Sequence, residues 1–353
     1  MFNALRVPLH VGRLALITLS WAVVAGLAVV SAFHLAHREP WTDMVGLIAV
    51  TPWIYMLAWV SAAIGLFTRH RLLVGVSVVL VGLQLWWVVP DFDPISHLVM
   101  LPKGAVEVRL FDANVSWTNY NLTEIAGEIR SDHAQVVTLE EPNGTALASL
   151  QKTGVLSRFH YDLVRTNGGD DGMALYSVFP LEDATVWYAG AHPEFRAWLK
   201  LPGGRRLRID VIHVHAPVGG PEPALWAGQM NAARKELAHE PRPLVAMGDF
   251  NATWYDWHFQ ALLQLGLRDA AVVAGQGWRM TYPRNQSPVV PYVRIDHVLI
   301  SAGVSLEGYG VGRGQGSEEH QPIMATVSVG GELSHQLLPA LGYAWHNRSL
   351  LPA

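Results

Sequence analysis

The stretch LVAMGDFNATW, Leu244 to Trp254, is an apolar run that breaks within a few residues into a glycine, a carboxylate and an amide. A short continuous apolar run bounded by turn residues reads as a buried strand. Gly248 permits backbone conformations closed to residues carrying a Cβ. Asp249 and Asn251, two residues apart, project to the same side of an extended chain. Taken alone, such a pair is a turn or a helix cap, where Asp and Asn are favoured for local hydrogen bonding. The reading therefore depends on whether other strands end the same way.

They do. From Ala105 onward, strand-like runs alternate with helical stretches: VEVRLFDAN, the helix LTEIAGEIR, AQVVTLEE, the helix TALASLQK and GMALYS. Next come FRAWLKL and RRLRIDVIHVHAP, joined by Pro202-Gly203-Gly204, a hairpin signal because paired glycines accept positive φ. The helix ALWAGQMNAARKELAHE, the strand PLVAMGDF, the helix WHFQALLQLG and the strand RIDHVLIS complete the alternation. Hairpins imply mixed or antiparallel sheets. Asn114 ends the first strand, Glu140 and Glu141 the second and His213 and His215 the hairpin. Asp249 and Asn251 end the next strand, Asp296 and His297 lie on a late one, and Glu319 and His320 precede the last. Six polar strand ends exceed what turns and caps explain, since strand ends cluster on one rim of a sheet.

This order, N, LEE, GMALYSVFPL, HAP, GDFNAT, RIDHVLIS and GSEEHQPI, resembles the endonuclease/exonuclease/phosphatase (deoxyribonuclease-I-like) superfamily over about Val106 to Val327. It looks like the membrane-anchored members with short amino-terminal spans. The resemblance implies a four-layered α/β/β/α sandwich and hydrolysis of a phosphodiester or phosphomonoester, as by a phosphodiesterase, nuclease or phosphatase. It implies Mg²⁺, or Mn²⁺ in its place, because a hard cation with oxygen ligands polarises the phosphoryl group. Asn114 and Glu141 match the family's metal-binding amide and acid, and Glu140 takes the place of a usual glutamine, as a solvated neighbour. Asp249 matches the base that activates water for in-line attack, and Asn251 the donor to the phosphoryl oxygens. His215 and His320 match two phosphate-facing histidines, with Asp296 orienting His320. The family's closing S-D-H becomes Ser317, Glu318, Glu319, His320 here, so Glu319 stands for the metal-binding aspartate.

Two other readings compete. His213 and His215 form an H-x-H pair as in zinc hydrolases, but zinc favours further nitrogen or sulfur ligands, and the chain has no cysteine. His213 is then a packed or supporting residue. A catalytically inactive family member acting as a membrane-linked binding or scaffold module is the second alternative. Trp254, Trp257, Tyr176 and Tyr282 either line the substrate cleft or pack in the core.

The amino-terminal part has a different texture. Of the 353 residues, 50% are hydrophobic and 15% charged, well below the usual quarter, and the apolar excess lies before residue 90. Leu14 to Phe33, Val45 to Phe67 and Leu72 to Val89 contain no Asp, Glu, Lys or Arg and are each near the length needed to cross a bilayer. The chain is expected to divide into a three-span membrane domain (1–90), a linker (91–104), the enzyme domain (105–330) and a tail of unknown role (331–353). Arg6, Arg13, Arg69 and Arg71 share one side, which the positive-inside rule makes cytoplasmic. The amino terminus is then inside and the enzyme domain extracytoplasmic, at the plasma membrane, with Trp41, Trp53, Trp86 and Trp87 at the outer interface. Six of the 25 Lys/Arg and four of the 29 Asp/Glu precede Ala105, leaving 19 basic against 25 acidic residues. That balance is a poor footprint for sequence-independent nucleic-acid binding. Expected partners are the bilayer and a phosphate-ester substrate, lipid-linked or nucleic acid.

Overall fold

The computed structural model describes residues 6–92, 104–166, 169–190, 192–218, 222–284, 289–314 and 319–330. Most of the expected linker and all of the expected tail lie outside the described residues.

Two six-stranded sheets form the body of the chain from residue 105 on. The first has β1 (Val106–Asn114), β2 (Val136–Glu140), β3 (Tyr161–Arg165), β4 (Met173–Ser177), β11 (Val304–Val311) and β12 (Ile323–Val329), in the order β11-β12-β1-β2-β4-β3. The second has β5 (Leu181–Ala189), β6 (His192–Lys200), β7 (Arg206–His213), β8 (Leu244–Asp249), β9 (Arg268–Asp269) and β10 (Asp296–Ile300), in the order β5-β6-β7-β8-β10-β9. The pairs β1–β2 and β7–β8 are parallel and the other neighbours antiparallel. Val108, Leu110, Val136 and Leu175 of one sheet meet Phe195, Ile209, Met247 and Val298 of the other in one apolar core. Helices α6 (Thr123–Ser131) and α7 (Gly144–Lys152) cover the first sheet through Ile125, Ile129 and Leu150, and α8 (Glu222–His239) and α9 (Trp257–Leu263) cover the second through Trp226, Leu237 and Phe259. This is the expected four-layered sandwich. The hairpin forms as its glycines imply, with Gly203 at φ 72° and Gly204 at φ 75°.

The amino-terminal segment folds as α1 (Arg6–Leu35), a broken second run and α5 (Arg71–Val88). Among the described residues, two helices are long and apolar enough to cross a membrane, or up to three if the broken run counts as one span. Val45–Phe67, expected as one helix, is instead α2 (Thr42–Ala49), α3 (Thr51–Ile54) and α4 (Met56–Phe67), with a bend of 71° after α2. Pro52 is the physical reason: it has no N–H to donate and disfavours helical geometry in the residue before it. The twelve residues of α4 reach only about 18 Å, short of the roughly 30 Å hydrocarbon core.

The helices do not hang from the sandwich on a free tether. A single apolar cluster runs from Val24, Leu27 and Ile48 through Tyr255 and Phe259 to Trp226. Polar contacts seal the junction. Glu39 accepts from the backbone N–H of Trp257, the first residue of α9, and pairs with His258 Nδ1 at 2.7 Å. Asp256, at the α9 N-cap, makes no capping bond of its own, so the α1–α2 loop supplies one. His37 stacks on Trp257 at 3.9 Å. Asp91 pairs with Arg294 at 2.9 Å and accepts from the Tyr255 hydroxyl at 3.2 Å. Arg294 in turn meets Asp269, which also binds His297. Gly277 lies so close to Asp91 that an added Cβ would fall 2.1 Å from its carbonyl oxygen. Asp91, expected in the linker, is thus buried in the junction.

Breaking a buried pair strands a charge and typically costs about 3–5 kcal/mol. Asp91→Ala should therefore lower the thermal midpoint of the full-length protein in detergent by on the order of 6–12 °C, followed by tryptophan fluorescence. An unchanged midpoint would show that the pair adds nothing to the junction.

Candidate active site

Strand register brings the polar ends together. In the second sheet Asp249 is the register partner of His213 on one side and of Asp296 on the other, so three functional side chains lie in one row. In the first sheet Asn114 is opposite Glu140, and Glu141 follows directly. The rims meet where Asn114 Nδ2 donates both to Glu141 Oε1 (2.9 Å) and to Asp249 Oδ2 (3.1 Å). Gly248 has φ 135°, and an added Cβ would lie 2.1 Å from the carbonyl oxygen of Ile212, so no other residue fits between β7 and β8. Glu141 and Asn251 both hold positive φ, 60° and 44°, which is costly for residues with a Cβ and concentrates at functional sites.

Each expected residue can now be placed. His320 directs Nδ1 at both Asp296 oxygens, 3.0 Å each, and its Nε2 lies 3.7 Å from Asp249 Oδ2. Asn251 donates its backbone N–H to Asp249 Oδ1 (2.8 Å) and its amide to Val214 O (3.0 Å) and Asp249 Oδ2 (3.2 Å). Glu141 accepts from the Trp117 N–H through Oε2, and its Oε1 lies 3.5 Å from His213 Nε2. Glu319 is half-buried; its carbonyl accepts from Arg284 N, and its carboxylate is not among the donors that converge on Asp249.

His215 departs from expectation. Its ring is one-third exposed, and its nearest acid is Asp170, at 3.8 Å on the rim. The ring at the centre is His213, buried against Glu141 and edge-on to His192 at 4.9 Å. Alternation along an extended chain would put both rings on one face, but β7 ends at His213 and the chain leaves the sheet before His215. Glu140 is also unlike the solvated neighbour expected: it is fully buried beside Asp112. Neither Asp112 nor Tyr282, whose ring lies 4.8 Å from His320, carried a sequence signal beyond its place near a strand end or loop. Trp254 packs in the core and Trp257 stacks on His37, so neither lines the centre. Tyr176 packs on Phe159.

The electrostatics follow from burying so many acids. Burial raises Asp249 to about 6, against the pull of the His320 charge. Burial raises Asp112 to about 7 and, with Asp112 beside it, holds Glu140 well above the carboxylate range. Burial would lift Glu141 too, but hydrogen bonding and charge from His213, with Asn114 and the Trp117 N–H, bring it down to about 2. Burial would lower His320, yet Asp296 and Asp249 raise it to about 10, so it is an imidazolium at neutral pH. Against burial, Glu141 raises His213 as well.

This excess of acid suits a cation. Among the described residues, Asp249, Asp296 and His320 present donor atoms within 4.8 Å of one another. His320 is already engaged by Asp296, which leaves the carboxylate oxygens of Asp249 and Glu141 as the natural holders of a hard ion; Asn114, expected as a ligand, turns its amide N–H to those two acids while its Oδ1 accepts from the Ser116 N–H at 3.0 Å.

Known structures show the same fold. The chain is similar to an endonuclease/exonuclease/phosphatase family protein from Bacteroides thetaiotaomicron (14% identity, TM-score 0.51, covering 64% of this chain and 99% of that one). It is similar to a Bacteroides vulgatus endonuclease/exonuclease/phosphatase (14%, 0.52, 64% and 100%). It is also similar to D. rerio TDP2 complexed with single strand DNA product (16%, 0.53, 63% and 98%). No curated protein sequence matches. Residues 108–323 match the Endonuclease/Exonuclease/phosphatase family, and the span of that match over both sheets and the acidic centre places this chain in that family.

Proposed function

We propose that this chain is a membrane-anchored, Mg²⁺-dependent phosphoesterase whose centre is formed by Asp249, Asn251, Asp296, His320, Asn114 and Glu141. The observation that carries the reading is the register that joins His213, Asp249 and Asp296 in one row, with Asn114 bridging to Glu141 on the other sheet. A bound divalent ion would neutralise charge developing on the phosphoryl oxygens. Asp249, raised by burial toward neutrality, accepts the proton of an attacking water, and Asn251 beside it donates to the phosphoryl group. His320, kept charged and oriented by Asp296, stabilises the crowded negative charge or protonates the leaving oxygen. We assign the second phosphate-facing imidazole to His213 and leave His215 at the rim, where it can meet an extended substrate. Glu319 we place at the edge of the cleft, outside the cluster around Asp249.

The amino-terminal helices anchor the enzyme. Arg13 donates to the Thr68 carbonyl, so the start of α1 and the α4–α5 turn share the end far from the sandwich. That end carries Arg13, Arg69 and Arg71, and by the positive-inside rule this favours a cytoplasmic place for it and an outer one for the enzyme domain.

Full-length protein in detergent should hydrolyse a generic phosphodiester or phosphomonoester with Mg²⁺ and stop on EDTA, and Asp249→Asn should cut turnover about 10²–10⁴-fold. No turnover and no divalent-ion binding would point instead to a scaffold role. His213→Gln should cost about 10²-fold in turnover and His215→Gln far less; the reverse order would return the role to His215.

The pH profile has a predictable sign. Asp249 must be ionised, so activity climbs as pH rises through about 6, and His320 must be protonated, so activity falls as pH passes about 10. A cation beside Asp249 favours its charged form, so raising Mg²⁺ should move the acid limb to lower pH. An acid limb unmoved by Mg²⁺ would place the ion elsewhere.

A further inference from the structure

The edge of the sandwich that carries the site is the same edge that packs on the helices. The loop after GDFN (Thr253, Trp254, Tyr255) meets Ala49, Pro52 and Asp91, and Tyr292 accepts from Trp53 Nε1 through its carbonyl at 2.7 Å. At this junction lies an open cavity of about 430 Å³, within the range of ligand pockets. Its walls are Met56 and Trp59 of α4, Leu85 and Val88 of α5, Phe92, and Trp278 from the sandwich. Met56, Trp59, Leu85, Phe92 and Trp278 are all among the exposed large apolar side chains.

The one polar side chain in the wall is already satisfied. Gln84 accepts from Trp59 Nε1 at 2.7 Å and donates to the Pro52 carbonyl at 2.8 Å. The groove wall is therefore almost wholly hydrocarbon. The groove lies beside the broken second apolar run, whose 71° bend follows α2.

Trp278 connects this groove to the chemistry. It packs on Trp53 and Phe92 at 5.3 and 5.1 Å. Four residues on, a distance of at most about 14 Å, Tyr282 lies against His320 and pairs with Val293 across an isolated bridge. One short segment therefore forms a wall of the groove at one end and a wall of the acidic centre at the other.

We propose that the groove holds a hydrocarbon chain of a membrane phospholipid whose phosphate enters the acidic centre past Trp278 and Tyr282. This rests on the phosphoesterase reading above and narrows its substrate to a lipid with its phosphate at the bilayer surface. An apolar groove at the junction, linked to a phosphate-type centre by the Trp278–Tyr282 segment, suits an amphiphile with an apolar tail and an anionic head. The net negative sandwich fits it better than a polyanionic strand.

The test uses full-length protein in nanodiscs with two probes: a long-chain phosphatidic acid carrying a photoreactive diazirine on one acyl chain, and its short-chain, water-soluble counterpart. Leu85→Trp and Met56→Trp, both outside the acidic centre, fill the groove. The proposal expects light-induced labelling of peptides containing Met56–Trp59 or Trp278 in the wild type and its loss in both variants. It also expects at least a tenfold fall in long-chain hydrolysis with short-chain hydrolysis within twofold. Long-chain hydrolysis unchanged in both variants, or no groove labelling in the wild type, overturns it. If the wild type hydrolyses neither probe, the hydrolytic reading fails on its own. The labelling then decides the groove: labelling that the variants abolish supports a lipid-chain site, and its absence overturns one.

Discussion

Everything in the site depends on holding acids together where water cannot easily screen them. Glu140, Glu141, Asp249 and Asp296 lie at the ends of adjoining strands of two sheets, Asp112 lies two residues inside the end of β1, and His213 and His320 are the imidazoles set directly against this cluster. Burying charge without a partner is prohibitive, so the protein either protonates some of these groups or recruits a cation. The two solutions divide the cluster by depth. Asp112 and Glu140, fully buried behind the rim, are both pushed upward by burial, Glu140 the more because Asp112 lies beside it, whereas Glu141, nearer the opening and tied to His213 and Asn114, is held low. The ionised acids are thus the ones a hard cation can reach.

The same strands explain why the helices matter to the site. Arg294 precedes Asp296 by two residues and is clamped between Asp91, at the end of the helices, and Asp269. His297, next to Asp296, binds Asp269 and the carbonyl of Ala252, just beyond Asn251. A polar chain therefore runs from the end of α5 to both strands that supply Asp249 and Asp296. The amino-terminal segment is thus part of the architecture that holds the site.

Much of this was legible in the sequence because its signals were local. The apolar run ending in Gly248, Asp249 and Asn251 set β8, the Pro202-Gly203-Gly204 turn set the β6–β7 hairpin, and the uncharged runs marked the helices. What failed to show depended on where an element stops or what it meets. The exchange of His215 for His213 turns on the exact end of β7. The break near Pro52 was visible as a residue, but an otherwise unbroken apolar run hid its effect. Strands β3 and β5 are too polar and exposed to read as buried strands. Asp91 looked like part of a solvated linker because its partner Arg294 lies two hundred residues away.

The central claim is that the acidic centre binds a hard divalent ion through Asp249 and Glu141. Crystals of the full-length protein grown with Mn²⁺ would test it by anomalous scattering. The account predicts one strong peak within coordination distance of Glu141 and Asp249. A peak elsewhere, or none at saturating Mn²⁺ with the site ordered, would contradict it.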